Sequence, residues 1–64
     1  MASYPQFRFY LCGTDGHFLR VCEVECDDTE VKATALRLLY DQSDDVVAIE
    51  AWNTQKRLAR VERY

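Results

Sequence analysis

The architecture turns on residues 6–26, QFRFYLCGTDGHFLRVCEVEC. Phe7, Phe9 and Leu11 alternate with Arg8, Tyr10 and Cys12, the period-two pattern of a half-buried strand, and aromatic residues favour that conformation. Gly13-Thr14-Asp15-Gly16-His17 supplies a turn with two glycines available for positive φ. Phe18 to Cys26 forms a second β-rich run. Folding it back so that Leu11 faces Leu19 places Phe9 opposite Val21 on the same side as Phe7. The same register sets Tyr10 opposite Arg20 and Arg8 opposite Cys22 on the reverse face. Val24 and Cys26 break this parity, so a bulge near Glu23 or a departing edge strand is expected.

The hairpin leads into Asp27-Asp28-Thr29-Glu30, which reads as a helix start. Asp27 is the expected N-cap and Glu30, three residues on, the expected partner of a capping box, with acids at the positive end of the helix dipole. Good helix formers without Gly or Pro then run to about Asp41. Val31, Ala35, Leu38 and Leu39 fall in one arc of the helical wheel and form the expected buried stripe. Leu36 and Tyr40, four apart, fall on another face, as an exposed pair or a ridge for a second subunit. Gln42-Ser43-Asp44-Asp45 ends the helix. Val46–Trp52, VVAIEAW, is a strand; Asn53–Arg57 turns it, and Leu58–Tyr64 returns. Pairing Ala51 with Ala59 sets Ile49 against Val61 and Val47 against Arg63 on one face. Trp52 then meets Leu58, and Glu50 meets Arg60, on the other. The expected fold is α+β, ββαββ, an antiparallel sheet with one helix packed on one face, occupying residues 1–64 as a single domain.

One short helix covers one side of such a sheet. The covered side takes Phe7, Phe9, Leu11, Leu19, Val21, Val47, Ile49, Ala51, Ala59 and Val61. The open side is left with Arg8, Tyr10, Cys12, Phe18, Arg20 and Cys22 from the first hairpin. The second hairpin adds Ala48, Glu50, Trp52, Leu58, Arg60, Glu62 and Tyr64. Aromatic and Arg residues interleaved on one surface are the composition of interface hot spots. The expected function is therefore a small non-catalytic interaction module, a homo-oligomer or a binder of a protein partner. Its interface residues are Trp52, Tyr10, Arg20, Arg60 and Leu58, with Leu36 and Tyr40 as a second candidate patch. The rival reading is a single-stranded nucleic-acid-binding module, with Tyr10 and Trp52 stacking on bases and Arg8, Arg20 and Arg60 on phosphates. Against it stand the acids Glu50 and Glu62 among the arginines and a formal charge of −3.

Size and composition bound these readings. Sixty-four residues, 48% hydrophobic and 30% charged, describe one ordered domain rather than a disordered chain. A domain this short buries only about 60% of the surface its unfolded chain exposes, which makes oligomerisation a natural source of stability. Charge is uneven: residues 1–22 net +1, residues 23–50 net −7 and residues 51–64 net +3. A basic end and an acidic middle suit head-to-tail or edge-to-edge self-association.

Specific chemistry is harder to assemble. Three cysteines do not make a disulfide framework. On a strand, Cys22 and Cys26 lie about 13 Å apart, too far to share an ion or a disulfide. With His17 alone beside them no zinc set is complete, so neither a metal nor a cofactor is expected. His17 and Cys12 flank the first turn as a conceivable base and nucleophile, but nothing orients them, and no enzyme is expected. The pairs Asp27-Asp28 and Asp44-Asp45 lack calcium-loop spacing, and GTDG sits in a hairpin rather than before a helix. MASYPQFRF does not read as a signal peptide and no apolar run reaches a membrane span, so a cytoplasmic location without membrane attachment is expected.

The order FRFYLCGTDGHFLRVCEVECDD, a short helix, then VVAIEAWNTQKRLARVER resembles a family of small bacterial proteins of unknown function. In them an aromatic-rich strand, a D-G turn, an acidic D-D helix start, an I-E-x-W strand and an R-L-A-R-type finish follow one another. The likeness covers Phe7 to Arg63. It implies a cytoplasmic bacterial protein and carries over no catalytic residue.

Overall fold

The structure, a computed structural model, describes residues 5–63. Strands β1 (Gln6–Gly13) and β2 (Phe18–Glu25) form the first hairpin. A single 3-10 turn over Asp28–Glu30 then leads into helix α1 (Val31–Asp41), and β3 (Val46–Trp52) and β4 (Arg57–Glu62) form the second hairpin. All neighbouring pairs are antiparallel, and the sheet order is β2-β1-β3-β4. The fold is the expected ββαββ, with α1 packed over β3 and β4. The central strands are the most apolar, while the edges FLRVCEVE and RLARVE carry the charges that discourage further pairing.

The core forms where α1 meets the sheet. Phe9, Leu11, Leu39 and Ile49 are fully buried, joined by Phe7, Val31, Ala35, Val46, Ala51 and Val61. Val31, Ala35 and Leu39 are the predicted helix stripe, and Leu38 packs partly buried beside it. Leu36 departs from expectation. It packs against the core rather than standing on an exposed ridge with Tyr40, which is 60% exposed.

The first hairpin closes through Gly13 N–H donating to the His17 carbonyl (2.8 Å) and Gly16 N–H to the Gly13 carbonyl (3.1 Å), with Gly16 at φ +85°. The Asp15 carboxylate accepts from the His17 backbone N–H at 3.1 Å and lies 2.9 Å from its imidazole Nδ1. The register then differs from expectation by one residue. Phe9 pairs with Cys22, Tyr10 with Val21 and Leu11 with Arg20, while Cys12 pairs with Phe18. A bulge at Leu19 absorbs the difference. It lies beside the turn rather than near Glu23 and inverts the sides assigned to most of β2. Leu19 and Val21, expected in the core, are 51% and 49% exposed, whereas Cys22, Val24 and Cys26 pack partly buried against it.

At the helix start, Asp27 caps as predicted, accepting from the Thr29 N–H (2.9 Å) and hydroxyl (2.7 Å). Glu30 makes no side-chain cap bond, so the expected capping box is replaced by the 3-10 turn. In the second hairpin Ile49–Val61, Glu50–Arg60 and Ala51–Ala59 pair as predicted. A second bulge then sets Trp52 against Arg57 instead of Leu58. Asn53 fixes this turn, accepting from the backbone N–H groups of Gln55 (2.7 Å) and Lys56 (2.8 Å).

Candidate functional site

The three registers lay the uncovered face out as three rows across β2, β1, β3 and β4. Glu23, Arg8, Trp52 and Arg57 share the first row. Val21, Tyr10, Glu50 and Arg60 share the second, and Phe18, Cys12, Ala48 and Glu62 the third. The central pairing of β1 with β3 brings Tyr10 beside Glu50 and Arg8 beside Trp52.

An aromatic diagonal crosses these rows. Tyr10 meets Trp52 edge-on, with ring centroids 6.3 Å apart and planes at 84°, and meets Phe18 on its other side at 4.9 Å. Both separations suit attractive aromatic geometry. Phe18 is 54% exposed at one end, while Tyr10 and Trp52 are half-buried.

Glu50 organises the charged half. Its side chain is only 13% exposed; one carboxylate oxygen accepts from Trp52 Nε1 at 3.1 Å. The other pairs with Arg60 Nη1 (2.5 Å) and lies 3.7 Å from Arg57 Nη1. Arg60 Nε reaches Glu62 at 3.3 Å, and its Nη1 lies 3.9 Å from the Cys12 sulfur. Partial desolvation works against the Arg60 charge, but hydrogen bonds to Glu62, Glu50 and Cys12 outweigh it and hold the guanidinium above its ordinary range. Burial pushes the Cys12 thiol up, against the opposing pull of Arg60. This thiol therefore favours its neutral form, the less reactive one.

Tyr10, Trp52 and Arg60 thus gather on the open face as predicted. Arg20 does not join them. Following Leu11 in register, it lies on the helix side and donates to the Gln42 side chain. The one-residue register change explains the reversal. Leu58, 37% exposed, falls in the second bulge, so Arg57 takes its predicted place beside Trp52. Tyr40 sits under Arg63, whose guanidinium carbon is 5.7 Å from the ring centroid. Tyr64 lies outside the described residues. Val21, Glu23 and Arg57 are face residues that the sequence did not reveal, because the bulges beside both turns decide their side.

Other candidates separate. His17 is held by Asp15 while Cys12 lies under Arg60, so no base–thiol pair forms. Cys12, Cys22 and Cys26 are free thiols, and no group of three or more potential metal ligands occurs among the described residues. An open cleft of about 590 Å³ runs past Phe7, Arg8, Glu23, Trp52 and Leu58 at one end of the sheet. Among the described residues no helix is long and apolar enough to cross a membrane. Comparison with protein-family models, curated proteins and solved structures returned no significant match.

Proposed function

We propose that the protein is a small, non-catalytic interaction module that self-associates through the sheet face opposite α1. The supporting observation is the diagonal Phe18–Tyr10–Trp52, in ring-to-ring contact across three strands on the face that no helix covers among the described residues. Ordered aromatics beside arginines already fixed by Glu50 lose little conformational freedom when a partner covers them, the condition under which buried area becomes affinity. A 64-residue chain also gains stability from covering a second sheet face.

The nucleic-acid reading is less well supported. Arg8 faces Glu23 at 3.9 Å, and Arg57 and Arg60 face Glu50, so phosphates would have to displace carboxylates from each cation. Sedimentation equilibrium provides the test. The wild-type protein should show a mass above the monomer at concentrations of about 100 μM, and Phe18→Ser, altered at an exposed position, should lower it. A folded monomer at every concentration would refute self-association. Salt-sensitive binding of a short single-stranded oligonucleotide, lost in Trp52→Ala, would favour the rival.

A further inference from the structure

We infer that two copies stack face to face about a two-fold axis parallel to the strands, locked by reciprocal Glu23–Arg57 ion pairs; this rests on the self-association reading above. The registers make the self-complementarity of the face open to calculation. A two-fold axis lying between the sheets along the strands exchanges the β2 and β4 columns. Glu23 of one copy then lies opposite Arg57 of the other, twice by symmetry, and Arg8 of one lies over Trp52 of the other. The first is an opposite-charge pair and the second a cation over an indole, the best cation–π acceptor. Glu23 and Arg57 each gain a second partner beside the one in their own protomer, Arg8 for Glu23 and Glu50 for Arg57. Tyr10 meets Glu50 across the same axis, a hydroxyl against a carboxylate. Val21 lies over the Arg60 side chain and Phe18 over Glu62, so the complementarity is carried by the first row and the centre.

The competing face-to-face arrangement, with the axis across the strands, exchanges the first and third rows. It sets Arg57 against Glu62 twice, but brings Glu50 against Glu50 and Arg60 against Arg60 in the middle row. Like charges directly opposed in a closing interface are disfavoured, so the charge layout selects the first arrangement. Aligned sheets stacked about 10 Å apart leave room for these side chains to meet. Four strands about 4.8 Å apart and three rows about 7 Å apart give a footprint of roughly 400 Å² per copy. That is about 800 Å² over both copies, below the roughly 1,200 Å² of stable complexes, the size of a weak interface that dissociates on dilution.

Within one protomer Glu23 and Arg57 stand on opposite edge strands, about 14 Å apart, so they act on each other only between copies. The test uses this separation. Glu23→Arg and Arg57→Glu should each weaken dimerisation by about tenfold or more, because each homodimer then carries two like-charge pairs. Mixed in equal amounts, the two variants form a heterodimer in which both pairs are again opposite in sign. Sedimentation equilibrium of the mixture should restore wild-type association. The milder Glu23→Gln and Arg57→Gln should weaken it less and preserve the test if a charge reversal disturbs folding, which circular dichroism would report. A wild-type dimer indifferent to both reversals, as pairing through the exposed β2 edge would give, overturns this arrangement but leaves self-association standing. So does a mixture that stays monomeric. A wild-type protein that is itself monomeric removes the underlying reading as well.

Discussion

Arg63 does for the helix end what no residue of the helix does. Its Nη2 donates to the carbonyls of Leu39 (2.7 Å), Gln42 (3.2 Å) and Ser43 (3.4 Å), and its Nε to that of Val46 (3.2 Å). These oxygens lie at the negative end of α1, in the loop after it and at the first residue of β3, where a cation is favoured and the last helical carbonyls lack partners. Strand pairing placed Arg63 near Val47, and its backbone N–H does donate to the Val47 carbonyl at 2.8 Å. The capping role was illegible in sequence, because the loop path that converges these carbonyls has no periodic signature. Arg63→Ala should cost about 1–3 kcal/mol, a large share of the roughly 3–10 kcal/mol available to so small a domain. Urea denaturation would measure it. An unchanged midpoint would contradict the capping role.

At the scale of elements, hydrophobic periodicity was enough for four strands, one helix and the pairing of β3 with β4 as far as Ala51. It failed in β2 because two apolar pairs competed for the inside. Leu19 and Val21 next to the turn suggested one parity, Val24 and Cys26 the other, and the bulge at Leu19 resolved the conflict for the second. A bulge beside a glycine turn changes which side every later residue takes, so one misplaced residue moved Arg20 off the face and Val21 onto it. The assignment predicts unequal costs. Val21→Ala should change stability by no more than about 0.5 kcal/mol, while Val24→Ala, against the core, should cost about 1–2 kcal/mol. Equal losses would restore the original register.

The loops between elements carry a pH dependence. The Asp15 carboxyl is held below its ordinary range by hydrogen bonds from His17, Asp27 by those from Thr29, and Asp45 by that from Ser43. The folded protein therefore binds protons at these sites less readily than the unfolded chain. Their stabilisation is present above about pH 4 and is lost as pH falls through the lowered folded values. Denaturation midpoints should drop between pH 6 and pH 3, and Asp27→Asn should flatten that drop. A midpoint indifferent to acid would rule out these contributions.

For the whole molecule, the single α-helix among the described residues sets the outcome. One helix seated over β3 and β4 closes one sheet face, and the opposite face keeps an aromatic diagonal braced by Glu50, Arg57 and Arg60. Tyr10, Trp52, Glu50 and Arg60 were legible as neighbours once the sheet was inferred. The strand order that brings them together was not, since nothing local specifies that β1 lies beside β3. The single tryptophan stands at the centre of the claim, and its indole N–H gives one resolved resonance. Diluting isotopically labelled protein from about 500 μM to about 10 μM should move that resonance and the amides of β1 and β3 near Tyr10 and Glu50, while amides of α1 stay fixed, as expected for a weak interface on this face alone. Spectra unchanged over the whole range, or shifts confined to the helix side, would contradict a self-associating open face.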